Sequence, residues 1–197
     1  MALKRETIMG VREFLELRAD DPDHRYEYID GEIYMMTGGK KGHALIGSNI
    51  CGILRGLLRD KPCLVFNSDA CVQLSEDCYV CPDATVSCDQ RDRNDDDELF
   101  VRSPCLVVEV FSKGTKAHDR GTKVPLYQDH PSIQEFLLVD SESPRAQLYR
   151  RDRDSGKLWT IHILNLEDTV ELESLGVSFP VTEIYEKTRF DRRQMAE

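Results

Sequence analysis

The chain has 197 residues with 40% hydrophobic and 31% charged side chains, which leaves room for one well-packed core and predicts a single domain over residues 1–197. A formal net charge of -10 argues against nucleic-acid binding by bulk electrostatics without excluding binding, because phosphate contacts need local Lys and Arg and part of the acidity is clustered. No apolar run approaches the ~18 residues of a bilayer span, and the start Met1-Ala2-Leu3-Lys4-Arg5 has no apolar signal-peptide core, so a cytoplasmic protein without membrane contact is expected.

Thr7 is the candidate N-cap of a short helix carrying Val11, Phe14, Leu15 and Leu17. Residues Arg25 to Met36 alternate around Asp30-Gly31 and predict a hairpin. Its Glu27 and Glu32 serve as the solvent-facing polar residues such strands need. The Gly-rich loop from Gly38 to Gly42 lacks the spacing of a phosphate-binding P-loop. From His43 to about Arg59, Leu45, Ile46, Ile50, Ile53, Leu54, Leu57 and Leu58 recur at helical spacing. Strands follow near Cys63–Leu74 and Tyr79–Cys88, then an acidic segment from Asp89 to Glu98 that reads as a solvated loop.

Cys105 to Phe111 is apolar almost throughout, as in a strand buried on both faces. A Gly/Lys/His loop leads into a helix from Asp119 to about Asp129, and Glu135 to Asp140 forms a fourth core strand. Beyond Pro144, Gln147–Arg151 and Trp159–Leu164 flank a turn containing Gly156, which predicts a second hairpin, with a short strand after it near Thr169–Leu172. The seven cysteines are odd in number, and without an export signal they read as reduced thiols acting as small buried hydrophobes. Cys78-x2-Cys81 with Cys88 downstream has half of a zinc spacing and no second pair.

Two acids stand out against this pattern. Asp83 follows Pro82 at a strand, and Glu109 lies inside Leu106-Val107-Val108-Glu109-Val110. An ionised side chain in such a run is costly to desolvate, so it needs a metal, a cationic side chain or a dense set of hydrogen bonds. On neighbouring strands the two acids could converge on one divalent cation. The alternative is structural: Asp83 caps a turn and Glu109 forms a buried ion pair.

The core order of helix, three strands, helix and strand, with Asp83 in the second strand and Glu109 in the third, resembles the restriction-endonuclease-like PD-(D/E)xK fold. That is an α/β (α+β) architecture, here with extra N-terminal and C-terminal β-hairpins. More specifically, the chain resembles the Uma-two family of endonuclease-like proteins over roughly residues 7 to 185. The resemblance rests on Tyr26-Glu27-Tyr28-Ile29-Asp30-Gly31-Glu32-Ile33, His43, Pro82-Asp83, Val108-Glu109-Val110-Phe111-Ser112, Asp119-Arg120-Gly121-Thr122-Lys123 and Leu137-Leu138-Val139-Asp140.

The resemblance implies a metal-dependent DNA endonuclease in which Asp83 and Glu109 hold Mg2+ or Mn2+. The alternative is a catalytically silent binding or assembly module on the same fold. In the ordinary motif a Lys lies two positions after the second acid, which is Phe111 here. The resemblance passes that catalytic role to Lys123; a surface ion pair with Asp119 is the alternative. Glu27 and His43 become possible accessory residues, His43 as a general base or phosphate contact, with a polar residue at a helix start as the alternative. Lys113, Lys116 and Arg120 form a basic patch with Lys123 that could position a phosphate backbone without reading bases. A homodimer is expected by analogy with nucleases that cut both strands.

Overall fold

The computed structural model describes residues 2–5, 8–36, 39–94, 98–112 and 119–191, without side chains at 2–5, 119 and 120. The chain opens with β1 (Ala2–Arg5), α1 (Val11–Asp20), β2 (Arg25–Ile29), β3 (Glu32–Met36) and α2 (Lys41–Leu57). It continues through β4 (Leu64–Asn67), β5 (Cys71–Ser75), β6 (Cys78–Val80), β7 (Ala84–Ser87), α3 (Gln90–Arg93), β8 (Phe100–Val101) and β9 (Leu106–Phe111). A π-helical turn (Asp119–Lys123) runs into α4 (Val124–Asp129), followed by β10 (Glu135–Asp140), β11 (Arg145–Arg151), β12 (Trp159–Asn165), β13 (Thr169–Leu172), β14 (Val177–Pro180) and α5 (Val181–Ile184).

The strands form one sheet in the order β1-β3-β2-β6-β5-β8, a second in the order β12-β11-β10-β9-β7-β4, and a ribbon of β13 and β14. Taken along the second sheet, α2, β4, β7, β9, α4 and β10 reproduce the restriction-endonuclease-like core, with β9 and β10 paired in parallel around the intervening helix. The hairpin of β2 and β3 turns at Asp30 and Gly31, both in the left-handed region at φ 50 and φ 87. This is the conformation an Asp-Gly pair supplies at least cost. The other hairpin is β11 with β12.

Where strands were expected over Cys63–Leu74 and Tyr79–Cys88, each is two strands belonging to different sheets. β4 and β7 lie in the second sheet, β5 and β6 in the first. The chain crosses between layers at Ser68–Ala70 and again at Cys81-Pro82-Asp83, where Pro82 has no N–H to continue a ladder. The helix expected after Thr7 is α1, capped by Gly10, whose N–H donates to Glu13 Oε2 at 2.9 Å; Thr7 lies outside the described residues.

Four buried residues at intervals of four, Ile46, Ile50, Leu54 and Leu58, run down α2 and across the turn after it, packing on Val86, Leu106, Val108, Val110 and Val139 of the second sheet. Truncating any one to Ala costs ~2–5 kcal/mol by the usual cavity rule. The other face of that sheet, through Val107, Phe111, Phe136 and Leu138, packs on Ile29, Val72, Cys78 and Val80 of the first sheet. Phe14 of α1 covers the far face of the first sheet beside Tyr26, Tyr28 and Tyr79. Both faces of each sheet are therefore buried around the centre, which matters for every charged residue there.

Four thiols expected to be reduced are instead bonded, as Cys63–Cys88 and Cys71–Cys81. Each pair stands one step beyond an antiparallel ladder, past Leu64↔Ser87 and past Val72↔Val80. Directly opposed positions bring Cβ atoms within bonding reach. Cys51, Cys78 and Cys105 are free, so the half-zinc spacing has lost Cys81 and Cys88 to disulfides.

Candidate active site

Strand alternation decides where the acids point. In β2, Tyr26 and Tyr28 face α1, so Glu27 joins Ile29 on the face turned toward the second sheet. In β9, Val108 and Val110 face α2, so Glu109 joins Val107 and Phe111 on the face turned toward the first sheet. Two glutamates from different sheets thus project into the same interlayer. Glu27 is 0% exposed and Glu109 is 4% exposed. The expectation of a solvent-facing Glu27 is corrected by the second sheet lying over it.

Lys123 neutralises this pair. It ends the π-helical turn, just before Pro125, a residue without an N–H to donate into a regular helix. Its Nζ lies 2.7 Å from Glu27 Oε1 and donates to Glu109 Oε1 at 3.0 Å. Its side chain is fully buried, where the alternative had placed it at the surface. Tyr127, one helical turn on, donates its hydroxyl to the same Glu109 Oε1. The Cys81 N–H donates to Glu27 Oε1 at 2.9 Å, so the segment leading to Asp83 is tied to the first sheet.

Asp83 sits at the layer crossover immediately before β7, whose first pair with β9 is Ala84↔Val108. Its Oδ2 accepts from Val110 N–H at 2.7 Å, the peptide that follows Glu109. The two acids therefore meet the same peptide unit of β9, Glu109 as its neighbour in the chain and Asp83 as its acceptor. His43, in the first turn of α2, places Nε2 3.6 Å from Asp83 Oδ2, with about a fifth of each side chain exposed. Gly39 permits that pose: a Cβ there would meet His43 Nδ1 at 3.0 Å. Gly47 and Cys51 continue the same stripe of α2 over Asp83.

The structure thus brings Asp83, Glu109, Lys123, Glu27 and His43 into one region. Lys113 and Lys116 lie outside the described residues, as does the side chain of Arg120. Tyr127 was missed by sequence reasoning although its spacing of four from Lys123 on one helix was available. The nearby thiols offer no nucleophile: burial, with Asp30 and Glu27 adding to it, pushes Cys78 up to about 12, and burial with Asp83 raises Cys51. Three acidic side chains against one Lys leave a formal excess of two acids around β9. Among the described residues no three His, Cys, Asp or Glu side chains form a closed metal cage.

Comparison with known proteins gives a consistent picture. Residues 11–182 match the Uma2 (Uma-two) family model, described as "Putative restriction endonuclease". An uncharacterized protein of Synechocystis sp., slr1290, is 41% identical over 167 residues, covering 84% of this chain and 86% of its own. A second Synechocystis protein, the uncharacterized sll1609, is 27% identical over 161 residues, covering 81% and 90%. A crystal structure from Anabaena variabilis, described as "a putative nuclease belonging to DUF820", superposes with a TM-score of 0.73 at 18% identity, covering 90% of this chain and 97% of that one.

Proposed function

The chain belongs to the Uma-two family, and on that premise we propose that it is a metal-dependent endonuclease that hydrolyses phosphodiester bonds in DNA. The observation that supports this best is the meeting of Asp83 and Glu109 at one peptide of β9, with Lys123 fixed on Glu109. Carboxylate oxygens with acids in formal excess over Lys suit a hard divalent ion; Mg2+ uses one or two protein acids and keeps several waters. Asp83 and Glu109 would hold it. Bound there, Mg2+ or Mn2+ would polarise the scissile phosphoryl oxygen and lower the pKa of an attacking water.

The chain's own residues have separable tasks. Val110 N–H and His43 orient Asp83. Lys123 and Tyr127 hold Glu109 in one rotamer, and Glu27 holds Lys123. In this reading Lys123 stands in for the missing motif Lys at Phe111, supplying positive charge from beneath the carboxylates. In the same reading His43, partly exposed and facing Asp83, takes or gives a proton at the water side. A homodimer is the assembly we propose for cutting both strands.

The test is cleavage of plasmid DNA with added magnesium or manganese, comparing wild type with Asp83→Asn and Glu109→Gln. Loss of cleavage in both is expected, and activity surviving both ends the assignment. A second reading, a catalytically silent binding module on this fold, draws on the complete burial of Lys123 in an ion-paired core. Wild-type protein that binds DNA but leaves it intact at saturating metal would select that reading.

A further inference from the structure

A cavity of about 300 Å³ opens on the other side of His43, between the first turn of α2, the Ser141-Glu142 turn and the segment after α5. Leu45, Ile46 and Phe190 give it apolar walls, while Lys40, Lys41, Lys187 and Arg189 supply positive charge against Glu142. Four cations against one anion make a local +3 on a chain of -10. Lys40 approaches Glu142 at 3.7 Å, and the Arg189 guanidinium lies 4.7 Å over the Phe190 ring. Among the described residues Lys41 and Lys187 enter no ion pair. Lys187 is also held at φ 57, a left-handed conformation that costs a residue with a side chain.

We propose that this cavity is a nucleotide subsite. It takes one nucleotide of a nucleic-acid strand, the base against Leu45 and Phe190 and the phosphate at Lys41 and Lys187. Three features select that chemistry. The volume suits a small ligand rather than a peptide segment. The apolar wall with an aromatic ring receives a base, because stacking on a π-face tolerates any base. The unpaired lysines provide the charge that phosphate contact requires. His43 lines the cavity and also faces Asp83 at 3.6 Å, so a strand seated here leads to the carboxylates. Only that last link, the continuation toward Asp83, rests on the nuclease reading.

The experiment is fluorescence anisotropy of a labelled short single-stranded oligonucleotide in EDTA, where no metal-dependent cleavage proceeds, repeated across salt concentrations. Wild type is compared with Lys41→Gln/Lys187→Gln and with Lys157→Gln, a control on the exposed β11–β12 turn. The double variant should bind ~10-fold more weakly and flatten the slope of log Kd against log salt by about 0.7, one phosphate's worth for a single strand. The free nucleotide dAMP should displace the strand from wild type. A double variant indistinguishable from wild type, an equal loss in Lys157→Gln, or no displacement by dAMP overturns the proposal. Failure of the nuclease reading is separate: DNA left uncut with metal, while the double variant still loses binding, discards the nuclease and keeps the subsite.

Discussion

Lys123 Nζ lies 2.7 Å from Oε1 of Glu27, although one residue follows β9 of the second sheet and the other is at the centre of β2 in the first. This contact joins the two layers at their most polar point. Because Lys123 also donates to Glu109, its removal strands two buried carboxylates at once. Lys123→Met is expected to cost ~3–5 kcal/mol, the usual penalty for uncompensated buried charge. Urea denaturation measures it. Adding Glu27→Gln to Lys123→Met should return part of the loss, since the second change removes an orphaned charge; purely additive losses would contradict the coupling.

Metal binding gives the second expectation. Calorimetry with manganese should show binding that Asp83→Asn abolishes. Tyr127→Phe keeps the ring and removes only the hydroxyl that orients Glu109. It should weaken manganese binding ~10-fold, as loss of a ligand's supporting hydrogen bond does. At 100 times Kd the ion should stabilise the fold by ~2.7 kcal/mol, and EDTA should reverse that shift. An unchanged affinity in Tyr127→Phe would place the ion away from Glu109.

The cysteines make a third. With Cys63–Cys88 and Cys71–Cys81 bonded, thiol titration in denaturant without reductant should count the three cysteines Cys51, Cys78 and Cys105. After reduction the count should be seven. The bonds close loops of 25 and 10 residues in sequence separation, each worth ~2–4 kcal/mol. Reduction should therefore lower the melting temperature. Seven reactive thiols before reduction would refute both bonds.

A fourth concerns pH. Burial, with Arg151 adding to it, pulls His130 below its ordinary value. The unfolded chain then takes up this proton before the folded one does. The sign follows: stability is intact above ~6.5 and falls as pH drops through that value toward the lower folded pKa. His24, raised by its hydrogen bond and charge interaction with Asp21, works in the opposite direction. Urea midpoints at ~pH 7.5 and ~pH 5.5, bracketing the unperturbed His pKa, should converge in His130→Gln relative to wild type. A slope unaltered by the substitution would show that His130 does not carry the effect.

Much of this architecture is written locally. The four-residue spacing of Ile46, Ile50 and Leu54 makes α2 helical, Asp30-Gly31 sets a hairpin, and the apolar run at Leu106–Phe111 makes a doubly buried strand. Local pattern also marked Asp83 and Glu109, because a charge in an apolar run is visible without a structure. The spacing that replaces Phe111 with Lys123 came from family resemblance.

What local pattern does not carry is which layer covers which face. Alternation in β2 separates Tyr26 and Tyr28 from Glu27, yet it cannot say that the glutamate side is buried by a second sheet. Nor does it show that β4 and β5, or β6 and β7, part company into different sheets at Ser68–Ala70 and at Pro82. The cross-strand cysteine pairs and the cavity beside His43 depend on the same layering. The sequence by itself determined the main helices, the hairpins and the two acids, Glu109 inside its strand and Asp83, expected in a strand, just before β7, because periodicity and desolvation act along the chain. Only the tertiary structure decided that Lys123 and Glu27 share one buried contact, because that depends on two sheets closing over them.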